Sequence, residues 1–186
     1  MGAADERQIG GVDPGARRPL DFRTVFELEL PYVMRTLRRL GVAPGDLEDM
    51  AHEVFMAVHA QLDSYDRSRP MRPWLFGFAF RVASHYRRRA GRERALSSPD
   101  LVIDPAEGAE AALELSRKKQ LVLDALDQMD LDRRAVFVLH EIDGVTSEET
   151  ALVLGIPLGT AYSRLRLARQ DFAAAVKRLQ ARRKVG

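Results

Sequence analysis

Apolar residues recur at helical spacing through most of this chain, and no run alternates convincingly at period two. A half-buried strand needs that alternation, whereas a surface helix needs an apolar stripe at i, i+3, i+4 and i+7, so the expected fold is all-α. Phe22, Val25, Phe26, Tyr32, Val33, Leu37 and Leu40 mark a first helix that closes at Gly41, with Pro31 either starting a fresh turn or kinking it. Asp46 reads as the N-cap of a second helix, with Glu48 and Asp49 in its first turn and Met50, Ala51, Val54, Phe55, Val58 and Leu62 as its stripe. Pro70 and Pro73 break the chain before a third helix from Trp74 to about Arg89, in which Pro73 suits the first helical position.

These three helices define one small domain over 21–94, preceded by a Gly-rich, aperiodic stretch over 1–20 that reads as a disordered tail. Ser97, Ser98, Pro99 and Pro105 mark a linker, taken as 95–115. Periodicity then resumes in a second domain, 116–186, with Leu121, Leu123 and Leu126, a helix capped by Asp130 or Asp132 and stopped at Gly144, and two further helices. The expectation is therefore two small helical domains joined by an acidic linker.

The net charge of +2 is an average over blocks of opposite sign. Residues 1–66 carry 7 basic and 12 acidic groups, 67–94 carry nine arginines against Glu93, and 95–115 carry five acids and no base. Residues 116–163 are again acidic, and 164–186 hold eight basic groups against Asp171. Two basic blocks separated by acidic ones suit a chain that touches a polyanion at two places. With no cysteine there is no disulfide framework, thiolate nucleophile or Cys-based metal site. The longest nearly apolar run, Pro73 to Phe80, is far below the roughly 20 residues that span a bilayer, and the opening residues lack the apolar core of a signal peptide. A cytoplasmic protein without membrane insertion is expected.

Thr146 to Gln170, TSEETALVLGIPLGTAYSRLRLARQ, combines a capping box at Thr146 and Glu149, a turn at Gly155 and Ile156, and a longer basic helix. That is the layout of a helix-turn-helix, whose second helix enters the major groove. At 100° per residue Ala161, Leu165, Ala168 and Phe172 share one face, and Gly159, Ser163, Arg166 and Gln170 lie opposite, flanked by Tyr162 and Leu167. Arg166 can bond guanine bidentately and Ser163 can bond donors or acceptors, while Arg164, Arg169 and the Thr160 hydroxyl suit phosphates.

Residues 67–94 interleave aromatics with arginine, RSRPMRPWLFGFAFRVASHYRRRAGRER. Rings stack on bases and guanidinium groups pair with phosphates, a composition suited to single-stranded nucleic acid. Leu75, Phe78, Ala79, Val82 and Tyr86 follow core spacing, and Trp74 leans toward packing. Phe76 and Phe80 lie off that stripe and are the better candidates for contact, with Arg87, Arg88, Arg89, Arg92 and Arg94 facing phosphates.

DLEDMAHEVF (Asp46 to Phe55), the Pro73-Trp74-Leu75-Phe76 lead into a basic helix, and ALVLGIPLGTAYSRLRLARQ (Ala151 to Gln170) together resemble an extracytoplasmic-function sigma factor of bacterial RNA polymerase, over about residues 22–180. The resemblance implies that the chain binds the polymerase core and directs promoter-specific initiation. It implies that Asp49, His52, Glu53 and Met56 dock on the clamp helices of the largest subunit. It implies that Trp74, Phe76, Phe80, Arg81, Arg87 and Arg88 melt and read the minus-ten element, capturing an unpaired base. The linker would thread the RNA exit path, its carboxylates mimicking nascent RNA. Thr160, Tyr162, Ser163, Arg164, Arg166 and Arg169 would read the minus-thirty-five element as duplex. Such factors are often held by an anti-sigma protein, and no cofactor is implied.

The sequence departs from the family at His52, usually Gln, at Arg81, commonly Asn, and at Thr150, usually apolar. Tyr162 and Leu167 stand at positions that are often basic, so the preferred upstream sequence does not carry over. An enzyme reading has little support: His52-Glu53 with His59 is HExxxxxH, not the HExxH of a zincin, and His140-Glu141 has no second His nearby. Asp127, Asp130 and Asp132 miss the spacing and glycine of a calcium loop. The alternatives are a stand-alone helix-turn-helix regulator, which leaves the first two motifs unused, and an adaptor with a degenerate helix-turn-helix.

Overall fold

The structure is a computed structural model that describes residues 21–94 and 110–185, and among them there is no strand. The seven α-helices are α1 (Phe22–Arg39), α2 (Leu47–Gln61), α3 (Met71–Arg94), α4 (Glu110–Asp127), α5 (Leu131–Phe137), α6 (Ser147–Leu154) and α7 (Leu158–Val185). Short 3₁₀ turns precede and follow α2, and α5 runs on into a π turn over Val138–Ile142. The tail expected over 1–20 and most of the expected linker lie outside the described residues.

α1 begins where the Asp21 carboxylate accepts from the amides of Arg23 and Thr24, and it continues unbroken through Pro31 to Arg39. An internal proline costs roughly 3 kcal/mol of helix stability. Burial of Tyr32, Val33 and Leu37 immediately after it offsets that cost. α2 opens without a side-chain cap. The Asp46 carboxylate instead accepts from the Tyr86 hydroxyl of α3 at 2.6 Å, so the expected N-cap is a tie between two helices.

α3 starts at Met71, three residues before the expected Trp74, which moves Pro73 from the first to the third helical position, where a missing N–H still costs nothing. The linker expected to reach residue 115 gives way to α4 at Glu110, so its last six residues are helical. Asp130, not Asp132, caps α5 by accepting from the amides of Asp132 and Arg133.

α1, α2 and α3 pack into one bundle around Val33, Leu37, Val54, Val58 and Leu75, all fully buried. α7 covers α4, α5 and α6 in a second, with Ala161, Leu165 and Ala168 facing inward. The two bundles are not separate. α1 packs on α4 and α3 on α6, and the apolar core is continuous from Leu37 and Phe76 to Leu126, Phe137 and Leu139.

Candidate nucleic-acid interface

Three surfaces carry the residues singled out by sequence. On the first, Thr146 Oγ1 accepts from the Glu149 amide at 3.2 Å and opens α6. Gly155 ends it at φ +64°, a conformation glycine adopts without strain, while the Ile156 amide returns to the Ala151 carbonyl at 3.0 Å. Pro157 then accepts from the Thr160 amide and launches α7. The helix-turn-helix geometry is thus set by local chemistry.

On α7, Ala161, Leu165 and Ala168 are buried, and Gly159, Ser163, Arg166 and Gln170 are exposed, as the helical period predicts. Arg166 enters none of the ion pairs among the described residues and stands free for a base edge. Arg164 is held by Asp132 at 2.7 Å and Arg169 by Glu141 at 2.6 Å, so a phosphate would have to displace a carboxylate from each. Ser163 donates to the Thr160 carbonyl at 3.0 Å, and Thr160 is half-buried. Tyr162 is exposed and donates to Glu148 at 2.9 Å; that bond raises the phenol above its ordinary value. The Glu148 carboxyl is lowered, first by its own backbone amide and then by Tyr162.

The second surface is a cleft of about 340 Å³ on α3. Tyr65 packs on Trp74 with ring centroids 4.7 Å apart, Trp74 meets Phe78 edge-on at 4.8 Å, and the Arg81 guanidinium lies 4.5 Å above Phe78. A wall of aromatic rings beside a guanidinium is the chemistry that holds an unstacked base. The loop before α3, with Tyr65, Asp66, Arg69 and Pro70, completes the rim. Sequence reasoning missed this loop. Its signal was available in the Asp66 side chain, which accepts from the Ser68 amide and hydroxyl and folds the segment into a tight turn.

Phe76 does not belong to this cleft. Its side chain is fully buried in the core, out of reach of any base, and its expected contact role is withdrawn. Five consecutive residues of α3, Leu75 to Ala79, are buried, because the helix is packed on more than one side and the single-stripe rule fails there. Phe80 is half-buried against the same core. Arg88 is exposed, with Nε donating to the Ser84 carbonyl, whereas Arg87 keeps one guanidinium nitrogen buried without a hydrogen-bond partner.

The third surface is the outer face of α2. Asp49, His52, Glu53 and Met56 are all exposed, and Met56 keeps 61% of its surface in solvent. His52 and Met56 border a groove of about 290 Å³ lined by Phe22, Phe26 and Phe55, so an acidic helix face adjoins an aromatic trough. Sequence periodicity assigned those phenylalanines to the core and did not foresee the trough.

Two family models match this chain: Sigma-70 region 2 over residues 25–93 and Sigma-70, region 4 over residues 119–172. Between them they take in most of the chain, and they fall on the first and second bundles. The chain belongs to the sigma-70 family, in its extracytoplasmic-function group. Its relatives include the ECF RNA polymerase sigma-E factor of Escherichia coli (strain K12), 29% identical over 139 residues, or 69% of this chain and 73% of the relative. The sigma factor RpoE in complex with the anti-sigma factor NepR, from Bartonella quintana, superposes with a TM-score of 0.67 at 25% identity, covering 84% of this chain and 97% of that one. CnrH, solved in complex with the cytosolic domain of CnrY, superposes at 0.57 with 25% identity, covering 84% and 87%.

As a sigma factor, the chain is an RNA polymerase subunit that directs transcription initiation. The region 2 match spans α1 to α3 and therefore both the acidic α2 face and the aromatic cleft. The region 4 match covers the helix-turn-helix. No described helix of this sigma factor is long and apolar enough to cross a membrane, and no group of three or more metal-ligating side chains occurs among the described residues.

Proposed function

We propose that this sigma factor divides promoter recognition between its two basic surfaces, one reading single strand and the other duplex. The α3 cleft takes an unpaired base of the minus-ten element, with Tyr65 and Trp74 as stacking walls and Arg81 as the cation at the mouth. Rings stack on any base, and extruding one costs a few kcal/mol, which a preformed cleft helps to offset. α7 lies in the major groove of the minus-thirty-five element, with Arg166 at a base edge and Arg164 and Arg169 turned to phosphates. α2 docks on the clamp helices of the polymerase largest subunit through Asp49, His52, Glu53 and Met56, an acidic and partly apolar face suited to a basic helix.

The observation that carries this reading is the cleft itself. A stand-alone helix-turn-helix regulator has use for α7 but none for an arginine-topped aromatic cleft or an acidic docking face. The protein acts in the cytoplasm as a binding factor, and the polymerase supplies the chemistry. The structural relatives were solved with the anti-sigma factor NepR and with CnrY, and an anti-sigma protein is the corresponding partner here. The acids Asp100, Asp104 and Glu107 belong to the linker assigned to the RNA exit path.

Permanganate footprinting of the holoenzyme on a promoter tests the division. Unpaired thymines should react near the start site, and Trp74→Ala with Arg81→Ala should abolish that reactivity while protection of the upstream element persists. Equal melting by wild type and variant would contradict the assignment of the cleft.

A further inference from the structure

Tyr162 stands on the outward face of α7 with half of its surface exposed, yet its hydroxyl is already engaged. It donates at 2.9 Å to Oε1 of Glu148, 14 positions earlier on α6, so one bond spans the turn between the two helices. Glu148 is the second residue of α6 and is itself exposed. Its own backbone amide, and then the Tyr162 hydroxyl, hold its carboxyl below the ordinary range. The carboxylate therefore stays charged, and the phenol, raised by the same bond, stays a donor.

An untethered tyrosine would swing among rotamers and donate to any acceptor within reach, whether a phosphate, guanine N7 or O6, or thymine O4. Such contacts carry little sequence information. The bond to Glu148 withdraws that donor from the groove and leaves the ring in place. Beside it, a Cβ on Gly159 would meet nothing within 4 Å, so the surface on that side is open. The neighbouring carboxylate disfavours guanine, whose major-groove edge shows two acceptors. Apolar contact is what remains, and the apolar group that the major groove displays is the thymine methyl.

We propose that Tyr162 reads a thymine methyl in the upstream element, with Glu148 as the positioning residue that fixes the ring, so that both helices of the helix-turn-helix set the sequence preference. The proposal rests on the reading of α7 as the helix in the major groove. Arg166 lies one turn further along the same face. Four residues advance about 6 Å along a helix, and successive base pairs are about 3.4 Å apart. The thymine is therefore placed one or two base pairs from the guanine that Arg166 contacts.

Deoxyuridine lacks only the methyl group of thymine and isolates this contact. Duplexes carrying the upstream element that the holoenzyme recovers from a promoter library are changed at one thymine at a time, and holoenzyme affinity is read by fluorescence anisotropy. Arg166→Ala marks the guanine. One substitution within two base pairs of it should weaken binding about fourfold, the contribution of one buried apolar carbon. Glu148→Ala and Tyr162→Phe should bring that ratio close to one, the second although it keeps the ring. Glu148→Gln, which retains an oxygen acceptor, should restore the ratio. A merely structural role for Glu148 would weaken binding to both duplexes and leave the ratio unchanged. No thymine at those positions, equal affinity of wild type for thymine and deoxyuridine, or an unchanged ratio in Glu148→Ala would overturn the proposal. If wild-type holoenzyme prefers no upstream sequence over a scrambled one, the placement of α7 in the groove has failed, and the proposal with it.

Discussion

Arg166 and Arg164 stand two positions apart on one helix, yet their surroundings assign them different work. Arg166 is exposed and unpaired, and its reach to guanine O6 and N7 is worth about 1 to 3 kcal/mol of discrimination. Arg166→Ala should therefore weaken holoenzyme binding by that amount on a matched upstream element and far less on a scrambled one, measured by fluorescence anisotropy. Arg164 is paired with Asp132, and on the proposed reading it exchanges that carboxylate for a phosphate, so Arg164→Ala should produce a smaller loss that is equal on both DNAs. Thr150 gives a stability prediction. It is fully buried and its hydroxyl has no partner. Thr150→Val should raise stability by about 1 kcal/mol in thermal or urea unfolding, since an unsatisfied buried hydroxyl is replaced by a methyl of similar shape. Both residues were legible in the sequence, Arg166 from the helical period and Thr150 as a polar residue where the family has an apolar one. Phe76 was not, because a period of 3.6 identifies one buried face and cannot tell when a helix is packed on two.

Elements were legible where local chemistry decides them. The α6 cap at Thr146, the turn at Gly155 and the α5 cap at Asp130 follow from side chains within four residues of the backbone they satisfy. Asp46 failed as a cap because its partner, Tyr86, lies 40 positions away. The aromatic trough beside α2 was hidden for a related reason: Phe22, Phe26 and Phe55 have helical spacing whether or not a further helix covers them. On α2 itself Asp49 and Glu53 are exposed, so replacing both with Ala should leave stability within about 0.5 kcal/mol of wild type. Core affinity should fall, most at low salt, as measured by competition for core polymerase; unchanged affinity would reject the docking face.

α5 contributes the buried cation Arg134. Burial and the neighbouring Arg87 push it down to about 10, against the pull of Asp127. The folded protein thus holds this proton less tightly than the unfolded chain. The charge costs stability at every pH below about 10, and the cost fades as pH rises through that value toward the ordinary range. Removing the carboxylate should worsen the imbalance, and Asp127→Ala is expected to cost about 2 kcal/mol. Arg134→Met removes the charge and retains the volume, so it should be neutral or stabilising at neutral pH. Urea unfolding of the two variants distinguishes them.

At the scale of the whole molecule, the near-neutral total charge resolves into two basic blocks, proposed above to meet nucleic acid, and acidic blocks that include the exposed α2 face proposed for docking. The sequence announced two bundles but not their contact. Charge blocks and periodicity describe each half separately, whereas the clasp of Asp143 with Tyr32 and Arg39 joins side chains that no local pattern connects. The central claim is that this chain confers promoter choice on RNA polymerase. It is tested most directly by sequencing the transcripts made when the full chain is added to sigma-free core polymerase on a promoter library. The expected result is a set of defined start sites, each preceded by a shared pair of elements and absent without the chain; no core complex and no increase in specific starts would contradict it.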